Sequence, residues 1–351
     1  MLWTGAGLHL GGAMTSALSP NTALVTGACA LVSGATGFLG NRLAATLALR
    51  GHRVSALARP TSDLSRLANR GIEIVMGDVG DCESLERTFA GQRVVFHTAG
   101  KVTDWGPADE FMAVNRDGTA NVIAACQKAG VTHLVHISSL TVLGMPRDGR
   151  LIDEASPYAA APSDPYTQSK IAAEKLVRAA NGRQGLMTTV IRPGAIWGNG
   201  DVTIAPRIVA LMRRRRMPYI GRSDNLIGLS HVDNLALGCA LVVESASAAG
   251  RIYHITDGEP VTLRRALDAI ADAYHVMRPG FSMPVWTLQA LAAGIELAAR
   301  LRGGSQPPAM TRYGVQMLAS HCRYTIDKAR RELGYAPRVT FADGIAKLGK
   351  V

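Results

Sequence analysis

The chain of 351 residues is 47% hydrophobic and 19% charged, which excludes a disordered chain and leaves room for one large α/β domain with a smaller one attached. Its formal net charge of +11 suits an anionic partner such as a phosphorylated cofactor, an anionic acyl carrier or an acidic surface. The motifs below account for an anion, so no nucleic-acid partner is expected. The five cysteines (Cys29, Cys82, Cys126, Cys239 and Cys322) form no CxxC pair and no zinc-ligand spacing; they set aside a metal site and read as buried thiols of a reducing, cytoplasmic compartment.

The chain opens on a segment rich in Gly, Ala and Ser, and its first charged residue is Arg42, so the basic region of a signal peptide is missing. Residues 1–28 read as an N-terminal extension, disordered in one reading, with the true start at Met14 in the other. From residue 30, short β-branched runs alternate with helical stretches, the pattern of an α/β fold with a Rossmann-type, doubly wound parallel sheet. Strands are predicted at 30–33, 53–58, 72–76, 94–97, 133–138 and 188–192. Helices are predicted from Phe38, through 121–128 and over 166–177. After Gly200 the rhythm becomes irregular, with Arg213 to Arg216 in a helical context. Residues 251–255 read as one more strand returning to the sheet, and 262–351 as mostly helical. This divides the chain into a dinucleotide-binding domain at 29–200, with 226–258 returning to it, and a substrate domain at 201–225 and 259–351. The apolar stretch 285–301 is interrupted by Glu296 and followed by Arg302; it reads as an amphipathic helix, not a membrane span.

The run Ala23-Leu24-Val25-Thr26-Gly27-Ala28 echoes Ala30-Leu31-Val32-Ser33-Gly34-Ala35, but only the second continues into a full glycine motif, Gly34-Ala35-Thr36-Gly37-Phe38-Leu39-Gly40. Placed between a strand and a helix, such glycines let the backbone approach a pyrophosphate at the helix N-terminus. The end of the second strand selects the cofactor. NAD enzymes usually place Asp or Glu there; this chain has Ala58-Arg59, where Arg59 suits a 2′-phosphate, although a solvated arginine is the competing reading. NADP(H) is therefore favoured, with NAD(H) allowed. Asp78 and Val79, ending the third strand, are placed at the adenine, and Ala99, Gly100 and Lys101, after the fourth, beside the cofactor.

Tyr166 and Lys170 form Tyr-x-x-x-Lys on a predicted helix, so both side chains share one face. Reducing a ketone by hydride leaves an alkoxide that needs a proton, and a nearby ammonium favours the phenolate of such a tyrosine. Lys170 is also expected to hold the nicotinamide ribose. Ser139, ending the fifth strand, is placed on the substrate oxygen and the Tyr166 hydroxyl, with Thr141 second for that role.

Together these residues resemble the extended short-chain dehydrogenase/reductase family, of the NAD-dependent epimerase/dehydratase type. The resemblance runs over nearly all the chain after residue 29 and includes Val114-Asn115-Arg116-Asp117-Gly118-Thr119, Ser138-Ser139, Tyr166-Thr167-Gln168-Ser169-Lys170 and Ile191-Arg192-Pro193-Gly194. It implies that Asn115 supports an active-site water and the lysine, and that Arg192 and Pro193 border the nicotinamide; a homodimer is a further family expectation. Ser230-His231-Val232-Asp233-Asn234, Tyr253-His254-Ile255-Thr256-Asp257 and Glu332-Leu333-Gly334-Tyr335 look most like the 3β-hydroxysteroid dehydrogenase and dihydroflavonol-reductase-like branch. Leu143 and Trp197 depart from the Tyr-Gly pattern of many relatives.

The expected function is the interconversion of a secondary alcohol and a ketone on a hydrophobic small molecule, with Phe281, Met283, Val285, Trp286, Leu288 and Leu291 as candidate pocket walls. A nucleotide-sugar epimerase or dehydratase on the same scaffold would need tightly held NAD and a diphosphate cradle, for which Arg207, Arg213 to Arg216 and Arg222 are candidates. A non-catalytic dinucleotide sensor is a third reading; such proteins typically lose the Tyr or the Lys, and both are present here.

Overall fold

The computed structural model describes residues 27–68, 70–303 and 306–348. All but the last two residues of the expected N-terminal extension lie outside them. Seven parallel strands make the central sheet: β1 Cys29–Ser33, β2 Arg53–Ala58, β3 Glu73–Met76, β4 Val94–His97, β5 His133–Ile137, β6 Met187–Pro193 and β7 Ile252–Ile255, in the order β3-β2-β1-β4-β5-β6-β7. Most of these strands are buried along almost their whole length, as expected of a parallel sheet covered on both faces. This is the expected Rossmann-type fold. The order reverses between β1 and β4, which pair directly from Ala30–Val94 to Ser33–His97. A crevice therefore opens at their carboxyl ends, where such sheets bind ligands.

Helices α1 (Phe38–Leu49), α2 (Cys82–Phe89), α3 (Gly118–Lys128) and α4 (Pro165–Ala180) are joined by α5 (Ile204–Arg213) and α6 (Val232–Glu244) and then by the C-terminal α7 (Leu263–Ala273), α8 (Val285–Leu301), α9 (Arg312–Ala319) and α10 (Asp327–Leu333). Asp164 starts α4: its carboxylate accepts from the Thr167 amide at 2.7 Å, and Pro165 supplies a preset φ. Arg213 ends α5, so Arg214 to Arg216 lie beyond the helix in which the sequence pattern set them, with Arg215 at φ +56.

Of the apolar clusters that result, two bear on the division of the chain. The larger joins β1, β2, β4 and β5 to α1 and α6; the smaller packs Ile208, Met212, Leu263, Leu267, Leu288 and Val315 of α5, α7, α8 and α9. Ile326, Ala329, Leu333 and Tyr335 lie in the larger core, so this stretch, which the rhythm of the sequence assigns to the substrate domain, returns to the sheet. The reason is a set of specific ties: the Tyr335 hydroxyl donates to the Thr256 carbonyl, Tyr253 to Glu332, and Asn234 receives the Arg338 and Val339 amides. Among the described residues, no helix is long and apolar enough to cross a membrane.

Candidate active site

The glycine motif forms the turn between β1 and α1. Gly34 has φ +68, and a Cβ there would lie 2.7 Å from the Ala99 nitrogen, so only glycine lets the two strand ends meet. A Cβ on Gly40 would collide with the Gly34 carbonyl. Gly37 caps α1 without a side-chain acceptor and no acid sits in the first turn, so the amides of Phe38 and Leu39 open a helix end with an anion-attracting dipole. Behind this turn, Ser33 and Thr119 hold the His97 ring at 2.9 and 3.0 Å, and Thr98 donates to the Ser33 carbonyl. Sequence reasoning missed His97; its place as the last residue of a buried strand facing Ser33 was the available signal. This cradle fits a dinucleotide pyrophosphate.

Around the cradle stand the other expected cofactor residues. Arg59, just past β2, is exposed, and its guanidinium has no partner among the described residues. Asp78 accepts the Gly80 amide on one carboxylate oxygen and leaves the other without a partner among the described residues, and the Val79 carbonyl accepts from Asn121. Lys101 is different: its ammonium pairs with Glu110 and lies 5.2 Å over the Phe111 ring, so only its backbone stands at the cleft. That backbone is held by Asn115, whose amide accepts from the Lys101 nitrogen at 2.7 Å and donates to Ser169 at 2.9 Å. Asn115 sits in a π-helical segment, Met112–Asp117, ahead of α3, a helix defect typical of functional sites.

Ser139 follows β5, and Tyr166 and Lys170 reach the same strand end from the buried face of α4. Lys170 Nζ donates to the Ile137 carbonyl at 2.6 Å, and a Cβ on Gly100 would lie 3.8 Å from it. Ser139 accepts from the Thr141 hydroxyl at 2.9 Å and its amide at 3.2 Å, beside the Tyr166 phenol. The electrostatics differ from the expectation that the ammonium lowers the phenol. Burial pushes Tyr166 up to about 12, with Ser139 pulling the other way and Asp164 adding to the rise. Burial likewise lowers Lys170 to about 8, against the opposing effect of Glu174.

Arg192 is corrected more strongly. It is 2% exposed, and its guanidinium grips the fully buried Glu174 at 2.6 Å and the Glu154 carbonyl at 3.4 Å. Glu174 also accepts from Ser138 and Tyr158. A charge so committed is structural, which leaves the backbone of Arg192 and Pro193 to border a nicotinamide; Pro193 ends β6 as a buried partner of Ile255. The candidate pocket walls scatter too: Leu288 is core, Met283 and Val285 pack against it, while Phe281, Trp286 and Leu291 are exposed. A depression of about 410 Å³ lined by Arg147, Arg222, Asp224 and His321 includes none of the catalytic set. The Ser230 to Asn234 motif proves to be scaffold: Asp257 accepts from the His231 amide, Asn234 and Trp197.

Sequence reasoning also missed Tyr313, in the first turn of α9. Its ring meets that of Tyr166 edge-on with centroids 6.0 Å apart, and its phenol lies near Thr141.

Residues 31–281 match the family described as 3-beta hydroxysteroid dehydrogenase/isomerase. The chain belongs to that family. It is 34% identical over 328 residues to a 2-alkyl-3-oxoalkanoate reductase of Stenotrophomonas maltophilia, covering 91% of this chain and 97% of that one. To a 3 beta-hydroxysteroid dehydrogenase/Delta 5-->4-isomerase of Mycobacterium tuberculosis it is 33% identical, covering 88% and 86%. A dTDP-glucose 4,6-dehydratase of Streptomyces venezuelae, solved with NAD bound, superposes with a TM-score of 0.70 at 26% identity over 91% of this chain and 95% of that one. This member of the 3-beta hydroxysteroid dehydrogenase/isomerase family is thus an oxidoreductase of keto and hydroxyl groups that takes a nicotinamide dinucleotide.

Proposed function

We propose that the protein reduces a ketone, or oxidises the matching secondary alcohol, on a hydrophobic substrate, with Tyr166 as the acid and base. The observation that carries this reading is the convergence of Ser139, Tyr166 and Lys170 on one strand end, beside Gly100 and a glycine cradle shaped for a pyrophosphate. A bound nicotinamide dinucleotide supplies the hydride donor or acceptor. Gly34, Thr36, Gly37, Phe38, Leu39 and Gly40 hold its phosphates, Asp78 its adenine and Lys170 its ribose. Ser139 holds the substrate oxygen. Tyr166 gives that oxygen a proton as the carbonyl becomes an alcohol and takes it back in the reverse direction. The relatives named as a 2-alkyl-3-oxoalkanoate reductase and a hydroxysteroid dehydrogenase support an apolar substrate bearing such a group.

NADP(H) is the cofactor we favour, because Arg59, without a partner among the described residues, stands where an NAD enzyme carries an acid. A sugar-nucleotide reading fares worse, since Arg207 is tied to Asp104 and the Pro308 carbonyl, and Arg222 to Asp224. The test is a nicotinamide-fluorescence titration of wild type and Arg59→Ala with NADPH and NADH. NADPH should bind about 10- to 100-fold more tightly than NADH, the worth of charge-assisted bonds to a phosphate, and the substitution should erase the difference. Protein that purifies with NAD bound, or prefers NADH whatever stands at 59, would overturn the cofactor assignment and bring the dehydratase reading forward.

A further inference from the structure

Tyr313 is delivered to the catalytic tyrosine by a distant part of the chain, and with some rigidity. Thr311 caps α9 by accepting the Gly314 amide at 3.0 Å and donates its own hydroxyl to Asp104 at 2.6 Å. Asp104 lies in the loop after β4 and pairs with Arg207 of α5 at 2.8 Å. The first turn of α9 is thereby pinned across the cleft, and Tyr313 lies edge-on to Tyr166. Thr141 sits beside both tyrosines: its hydroxyl donates to Ser139 at 2.9 Å, and it pulls down the titration of the Tyr313 phenol as Ser139 pulls down that of Tyr166.

Only Ser139 and Tyr166 are needed to hold and protonate one substrate oxygen. Tyr313 and Thr141 are a second pair, and the 2.9 Å from the Thr141 hydroxyl to that of Ser139 is comparable to the spacing of two oxygens on alternate carbons of a chain. We propose that Tyr313, with Thr141, receives a second substrate oxygen and selects compounds oxygenated on the carbon two places from the reacting one. The inference rests on the ketone-reductase reading above and narrows its substrate class to 3-oxo or 3-hydroxy acyl compounds. Burial and the neighbouring Tyr166 hold the Tyr313 phenol well above its ordinary value, so it meets that oxygen as a hydrogen-bond donor. A site built to bond such an oxygen discriminates against the analogue lacking it, because its own polar groups are then left unpaired.

The experiment compares NADP-linked oxidation of 3-hydroxydecanoate, its methyl ester and 2-nonanol, which lacks the carboxyl group. Wild type should favour the acid, the ester or both over 2-nonanol by about 10- to 100-fold in kcat/KM. In Tyr313→Phe, which keeps the ring, that ratio should fall to near one, with the doubly oxygenated compounds losing most. An advantage confined to the acid identifies a carboxylate, and one shared with the ester a neutral acyl oxygen; both support the proposal. Equal losses on all three compounds would show that Tyr313 merely holds Tyr166 in place, and an undiminished ratio would show that it does not touch the second oxygen; each overturns the inference. Wild type that binds NADPH yet turns over none of the three in either direction would sink the ketone-reductase reading itself.

Discussion

Glu174 joins the chemistry to the stability of the protein. It is fully buried one turn beyond Lys170, and it receives Arg192, Ser138 and Tyr158 at once. Removing one partner of such a pair leaves an uncompensated buried charge. Glu174→Gln should therefore cost about 3–5 kcal/mol in denaturant unfolding, with Arg192 stranded. It should also act on the lysine. Glu174 favours the charged form of Lys170, so its removal lowers the lysine further below about 8. The alkaline limb of the rate against pH should then shift to lower pH. Tyr166→Phe should lower kcat about 10²- to 10⁴-fold while leaving NADPH binding intact, as expected when a general acid is lost. Part of this was legible in the chain: Tyr166 and Lys170 stand at helical spacing and Ser139 follows a strand, whereas Glu174 was passed over. The role of Arg192 was not legible, because the partner that claims it sits on a different element. Tyr313 carries no motif, and only the tertiary fold brings it to Tyr166.

The β1–α1 turn is where element geometry matters most. Gly34→Ala places a Cβ against the Ala99 backbone and forces a side chain into positive φ, whereas Gly91, at φ +75, has nothing within 4 Å of such an atom. Gly91→Ala should cost about 1 kcal/mol from backbone strain alone. Gly34→Ala should cost more and also abolish NADPH binding, read by thermal melting and the same fluorescence titration. Equal effects of the two substitutions would mean that strain, not the contact with β4, rules the turn. The strands were readable because sheet burial on two faces writes continuous apolar runs, and β2 and β4 coincide with their predicted bounds. The π-helical Met112–Asp117 was not, since one extra residue per turn shifts the apolar period that a sequence pattern relies on.

Across the whole molecule, burial holds His52, His97, His133, His136, His231 and His254 below the ordinary histidine value, with His97 and His254 at about 3. A histidine kept neutral in the fold still protonates in the unfolded chain. Stability from these groups is therefore complete above pH ~6.5 and is lost as the pH falls from there toward the folded values. His97 and His254, at about 3 in the fold, each forfeit about 2 kcal/mol by pH 5, a large share of the ~5–15 kcal/mol that holds a domain together, and His136 adds to the loss in the same direction. The melting temperature should hold steady from pH 8 to 7 and drop steeply from pH 6 to 5. A flat profile over that range would show that the histidines open to water without unfolding.

The larger core draws on residues from Ala30 at one end to Tyr335 at the other, and the Asn234 amide clasps Arg338 and Val339. A chain emerging from the ribosome thus cannot finish this core until Tyr335 has been made, long after Ala30. Contacts of such long sequence separation close slowly, and the apolar faces of β7 and α6 stay open while they wait. Truncation before Ile326 should give a chain that collapses but aggregates, with the cradle at the other end of the sequence never set.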